Sequence, residues 1–152
     1  MKMLRVLGAL LIGLTMIVAA VPAGAATVKV KVNGQAITDV QISQRLALHK
    51  LEGKSSSKAA TDELINEALQ MQEAERLGFK VTEDEIDSAV LDVARQIKVS
   101  ATNLTTILTN NGVPVSTLRD RLAANIAWSK VTASAVSASR GISSHTSSGA
   151  WA

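Results

Sequence analysis

The sequence predicts a mainly α-helical protein, a short N-terminal β-hairpin followed by about five helices. Three observations carry that prediction. Apolar residues recur at helical spacing from about residue 39 to residue 131, capping and stop signals divide this stretch every 10 to 20 residues, and strict alternation is confined to a few residues near position 30. A length of 152 residues suits one modest domain.

The first element is not part of that domain. Lys2 and Arg5 precede the uncharged apolar run Val6 to Val21, and Pro22-Ala23-Gly24-Ala25-Ala26 supplies small residues at its end. That order describes a signal peptide over residues 1–25. An uncleaved inner-membrane anchor is the alternative, since nothing from Val6 to Val28 is charged. Without Lys2 and Arg5 the chain carries 14 basic and 13 acidic side chains. The isoelectric point of about 9.5 therefore does not describe a basic mature surface. With neither a basic stripe nor aromatic platforms, no nucleic-acid partner is expected. Export of a chain without cysteine fits a bacterial periplasm, with membrane contact only through the leader.

Thr27-Val28-Lys29-Val30-Lys31-Val32 alternates as a half-buried strand does, and Asn33-Gly34 is the preferred pair for a type I′ turn into Gln35-Ala36-Ile37. Thr38 with Gln41 forms a capping box that opens a first helix over about 39–52, with Ile42, Leu46 and His49 on one side. A polar linker, 54–58, leads to a second helix over about 60–77. Its apolar face is Leu64, Ile65, Ala68, Leu69, Met71 and Leu77, with Glu63, Glu67, Gln70, Glu73 and Arg76 mostly off it. Leu77-Gly78-Phe79 is a Schellman stop. Thr82 and Glu85 make a second capping box for a third helix over about 83–98, Ser100 caps a short fourth helix ended by Asn111-Gly112, and Pro114 and Ser116 mark the start of a fifth. Leu118, Leu122, Ile126 and Val131 form its inner side. Residues 132–152 hold seven serines, one Arg and no helical stripe, and are expected to be disordered. The folded unit is thus 26–131.

The sequence offers little chemistry. Two histidines and no cysteine exclude the common metal cages, so neither metal nor cofactor is expected. Glu83, Asp84, Glu85 and Asp87 are explained by the helix N-terminus, and Ser55 to Ser57 lack a nucleophile elbow. No catalytic residue is expected. Apolar residues are dense around the fourth helix, where Leu104, Ile107, Leu108 and Val113 admit two interpretations: core packing, or a groove contacting apolar segments of a client protein.

The order of motifs resembles a known family. Val32-Asn33-Gly34-Gln35-Ala36-Ile37-Thr38-Asp39-Val40, then Asp62 to Ala74, then Arg76-Leu77-Gly78-Phe79-Lys80-Val81-Thr82-Glu83-Asp84-Glu85-Ile86-Asp87, and finally Leu118-Arg119-Asp120-Arg121-Leu122 look like the N-terminal domain of SurA-type periplasmic chaperones, over about residues 29–131. The resemblance implies an ATP-independent helical module that holds unfolded outer-membrane proteins. Full-length members add parvulin peptidyl-prolyl isomerase domains, but beyond Lys130-Val131 this sequence turns serine-rich and shows no parvulin-like His-Ile-Leu strand, so isomerase activity is not expected of it. The abrupt change also raises the alternative that the chain is a truncated remnant of a longer isomerase.

Overall fold

The computed structural model describes residues 26–145, with side chains described as far as Ser139; residues 1–25, where a signal peptide is expected, and residues 146–152 lie outside the described residues. Seven elements follow in order: β1 (Val28–Val32), β2 (Gln35–Thr38), α1 (Asp39–Leu51), α2 (Ser57–Arg76), α3 (Glu83–Gln96), α4 (Ala101–Asn110) and α5 (Val115–His145). The expected class, a hairpin and five helices, is the one observed.

Local chemistry explains most element boundaries. β1 and β2 pair antiparallel, Val32 opposite Gln35, around Asn33 and Gly34 at φ of 49° and 91°, the left-handed backbone that a type I′ turn requires. The pairing shifts register between Val28 and Val30, so Val28 is exposed instead of sharing a buried face with Val30 and Val32. The hairpin is held from two sides. Thr27 and Asp39 exchange hydrogen bonds at 2.9 Å, and the Gln72 amide on α2 donates to the Val32 carbonyl at 3.1 Å while accepting from Asn33 at 2.9 Å.

Both capping boxes form, Thr38 with Gln41 on α1 and Thr82 with Glu85 on α3. α2 begins earlier than the sequence suggests, at Ser57, because the Ser56 hydroxyl caps it by accepting from the Ala59 amide at 3.2 Å. α3 ends with the bonds of a Schellman motif, Lys98 to Arg95 at 3.0 Å and Val99 to Ala94 at 2.9 Å. Here the residue in left-handed conformation, φ 59°, is Lys98 and not glycine. Lys98→Gly relieves that backbone and is expected to stabilise the chain by about 0.5–1 kcal/mol net of the added unfolded-state entropy. A rise of roughly 2–6 °C in the thermal midpoint checks it. A fall would mean that the lysine side chain contributes more than its backbone costs.

α5 corrects the expectation for the tail. It continues through residues 132–145, where disorder was expected. No Gly or Pro interrupts residues 115–140, and the hydroxyls bond back along the helix: Thr132 to Trp128 at 3.0 Å, Ser134 to Val131 at 2.7 Å and Ser137 to Ala133 at 2.9 Å. Alanine propensity thus carries the helix without an apolar stripe, while the back-bonded hydroxyls are satisfied within it. Among the described residues Val131 is nevertheless the last buried one, and 132–139 are exposed.

The interior consists of three small clusters. The largest joins Leu48, Ala94, Leu104, Leu108, Val113 and Leu118 from α1, α3, α4, the α4–α5 turn and α5. A second sets the hairpin residues Val32 and Ile37 on Ala68, and a third packs Ala74 on Ala127 and Val131. α5 runs against α2 and also touches α1, α3 and α4. Alanines at 60, 68 and 74 on α2 and at 124 and 127 on α5 are buried, which permits close approach of the two helices.

Candidate functional site

Where α1, α2 and α5 meet, the interior is ionic. Arg45 on α1 is 1% exposed, and its two terminal nitrogens engage both oxygens of Glu67 on α2, one at 2.8 Å. The same guanidinium lies 3.4 Å from the Thr117 carbonyl of α5 and 3.3 Å from Glu63. Glu63 in turn contacts buried His49, and its other oxygen lies 2.8 Å from Arg121 of α5, which also pairs with Glu52 at the end of α1. Burial of Glu67 corrects the expectation that this residue lies off the packed face of α2. Its partner is 22 residues away on another helix, and one helix's periodicity cannot reveal it.

The electrostatics follow from burial and pairing. Desolvation raises the Glu67 carboxyl above its ordinary value despite the opposing Arg45. Burial pushes Glu52 up as well, but hydrogen bonds and charge from Arg121 and Lys54 outweigh it and leave this carboxyl low. Asp120, beside the same junction, is raised by burial. A cavity of about 220 Å³ adjoins the junction, floored by Ile37, Leu64, Ala68 and Ala124. The arrangement ties three helices together, and no nucleophile with an adjacent base is present in it. Among the described residues no group of three or more His, Cys, Asp or Glu side chains is placed to hold a metal ion.

The four residues singled out for client contact divide. Leu104, Leu108 and Val113 are 4%, 2% and 1% exposed and belong to the largest core cluster. Only Ile107, 38% exposed, presents its side chain to solvent. The other three lie in the core in this conformation, where their apolar density joins α4 to α1, α3 and α5.

Exposed apolar surface lies elsewhere. On the outer side of the α2–α5 pair, Trp128 and Leu69 are 40% and 44% exposed and share a concavity of about 640 Å³. Its wall carries Asn33, Gln70, Gln72 and Arg76. An aromatic and an aliphatic side chain left half in water beside amide groups suit the capture of apolar side chains on a polypeptide whose backbone needs donors and acceptors. Neither residue stands out by periodicity. Spacing puts Leu69 on the packed face of α2, and Trp128 sits two residues past Ile126, on the opposite side of α5 from the Leu118–Leu122–Ile126 stripe. That off-stripe position was the available signal.

The sequence pattern of the SurA N-terminal domain family matches residues 32–132. The chain is similar to the Chaperone SurA of Cupriavidus metallidurans, 39% identical over 61 residues, which are 40% of this chain and 12% of that protein. It is also similar to the Chaperone SurA of Pectobacterium atrosepticum, 31% identical over 71 residues, 47% of this chain and 16% of the relative. The matched stretches thus span less than a fifth of either relative.

Proposed function

Since the chain belongs to the SurA N-terminal domain family, we propose that it is an ATP-independent chaperone module that holds unfolded polypeptides, outer-membrane proteins among them, in the periplasm. The observation that carries this reading is the half-exposed Trp128–Leu69 surface on the outer side of α2 and α5. Binding here is reversible burial of client apolar side chains against Trp128 and Leu69, with the Asn66 and Gln70 amides beside them to meet the client backbone. Ile107 adds a separate exposed contact on α4. The chemistry needs no nucleotide and no metal: association is driven by removal of apolar area from water and is limited by the ordering of the client chain.

Dilution of a urea-unfolded outer-membrane protein into buffer with the full chain tests it. Suppressed light scattering is expected. Trp128→Ala is expected to weaken client binding roughly tenfold, the loss of one aromatic anchor, with the thermal midpoint nearly unchanged because the side chain is outside the core clusters. Suppression unaltered in Trp128→Ala would remove this surface from the mechanism. No suppression, from a chain that also lacks a cooperative unfolding transition, would favour the remnant without activity of its own.

A further inference from the structure

A second concave surface lies between α3 and α5, outside the Trp128–Leu69 face. Two adjoining hollows of about 430 Å³ each share Glu85, Ala89 and Ile126 and make one groove. Its floor is apolar, formed by Ala89 of α3 and Leu122 and Ile126 of α5, and Asp84 and Asp92 stand on its α3 rim.

The charges beside this floor do not balance. α3 carries five carboxylates, Glu83, Asp84, Glu85, Asp87 and Asp92. Three cations answer them. Arg119 is taken up by Glu83 and Asp87, and Lys130 is held by Glu85 and by the Lys80 carbonyl at 2.6 Å. Asp92 pairs only with Arg95, an exposed partner three residues along the same helix, and such a pair contributes little in water. Asp84 has no ion-pair partner among the described residues. The one cation lining the groove, Lys130, is thus committed, and two carboxylates remain in surplus.

We propose that this groove docks an apolar polypeptide segment flanked by lysine or arginine, the apolar side chains on Ala89, Leu122 and Ile126 and the flanking cations on Asp84 and Asp92. Charge complementarity selects this occupant. A second copy meeting the groove through the same face would bring its own surplus of acid against it, and an acid-flanked segment would be repelled for the same reason. The proposal rests on the polypeptide-binding reading above and adds a class of segment to it.

The test measures fluorescence anisotropy of three labelled peptides with one leucine-alanine centre and lysine, serine or glutamate flanks, titrated with the full chain. The lysine-flanked peptide is expected to bind about tenfold more tightly than the glutamate-flanked one in low salt, with the preference shrinking to about twofold in half-molar salt. Asp84→Asn with Asp92→Asn, both at exposed positions, is expected to remove most of the preference. Trp128→Ala should preserve it. Equal binding of the three peptides, or a preference that survives the double Asn variant, would overturn the proposal. Aggregation suppression without any charge preference removes this groove alone and leaves the chaperone reading standing, whereas charge-selective binding without suppression does the reverse.

Discussion

Glu67→Ala is expected to destabilise the chain by about 3 kcal/mol, measured as a lowered urea midpoint at unchanged slope. The cause is the charge left behind. Arg45 is 1% exposed and depends on both Glu67 oxygens. Without them its guanidinium keeps only Glu63 at 3.3 Å and the Thr117 carbonyl at 3.4 Å. That residual pairing sets the expectation at the low end of the range for an uncompensated buried ion. The double variant Arg45→Met with Glu67→Leu removes both charges and fills similar volume, so it is expected to lie within about 1 kcal/mol of the natural chain. A Glu67→Ala cost under about 1 kcal/mol would mean that water reaches Arg45 and that the junction is not the tie it is taken to be.

The same junction fixes a pH dependence. Glu67 is raised in the folded chain, so its contribution to stability is present below the ordinary carboxylate value and is lost as pH rises through the folded one. Glu52 and Glu85 are depressed, Glu85 chiefly by Lys130 and the Thr82 amide, and Asp39 is depressed chiefly by the Thr27 amide. Their contributions are present above the ordinary value and are lost as pH falls through the depressed one. Acidification therefore weakens the fold through these three while strengthening it through Glu67 and through Asp120, which burial also raises. Glu67→Gln takes away one opposing member, and stability should fall more steeply as pH falls through the carboxylate range than in the natural chain.

What could be seen in the sequence was local. Thr38 with Gln41, Thr82 with Glu85, Asn33-Gly34 and Leu77-Gly78-Phe79 act within four residues, and each marks the boundary it was expected to mark. What escaped was non-local or weakly patterned. The Arg45–Glu67 pair joins two helices, and the α2–α5 contact is built from alanines, which hydrophobic periodicity weights little. Residues 132–145 form a helix with no packed face through the exposed stretch 132–139, a case in which periodicity has nothing to report. The candidate site divided along the same line. Apolar density drew attention to α4, yet density marks the places where several helices meet. The side chains left half in water, Leu69 and Trp128, stand apart from any stripe.

Leu108 and Ile107 separate core from contact most directly, because neighbours on one helix differ from 2% to 38% exposure. Leu108→Ala opens a void where Leu48, Ala94 and Leu104 meet, and a cost of about 3 kcal/mol is expected. Against a total of roughly 5–10 kcal/mol for a domain of this size, that is a large share. The interior here is divided among three small clusters, so the loss would not be spread through one large core. Client binding should then fall only together with the folded fraction and recover in part, in step with the folded fraction, when Lys98→Gly is added. Ile107→Ser, in contrast, should cost under about 1 kcal/mol, as a half-exposed side chain does. Any loss of binding it causes would persist at full folding and mark a contact. If Leu108→Ala lowered client binding with the thermal midpoint unchanged, α4 would have to open in solution, and the buried leucines would return to the binding surface.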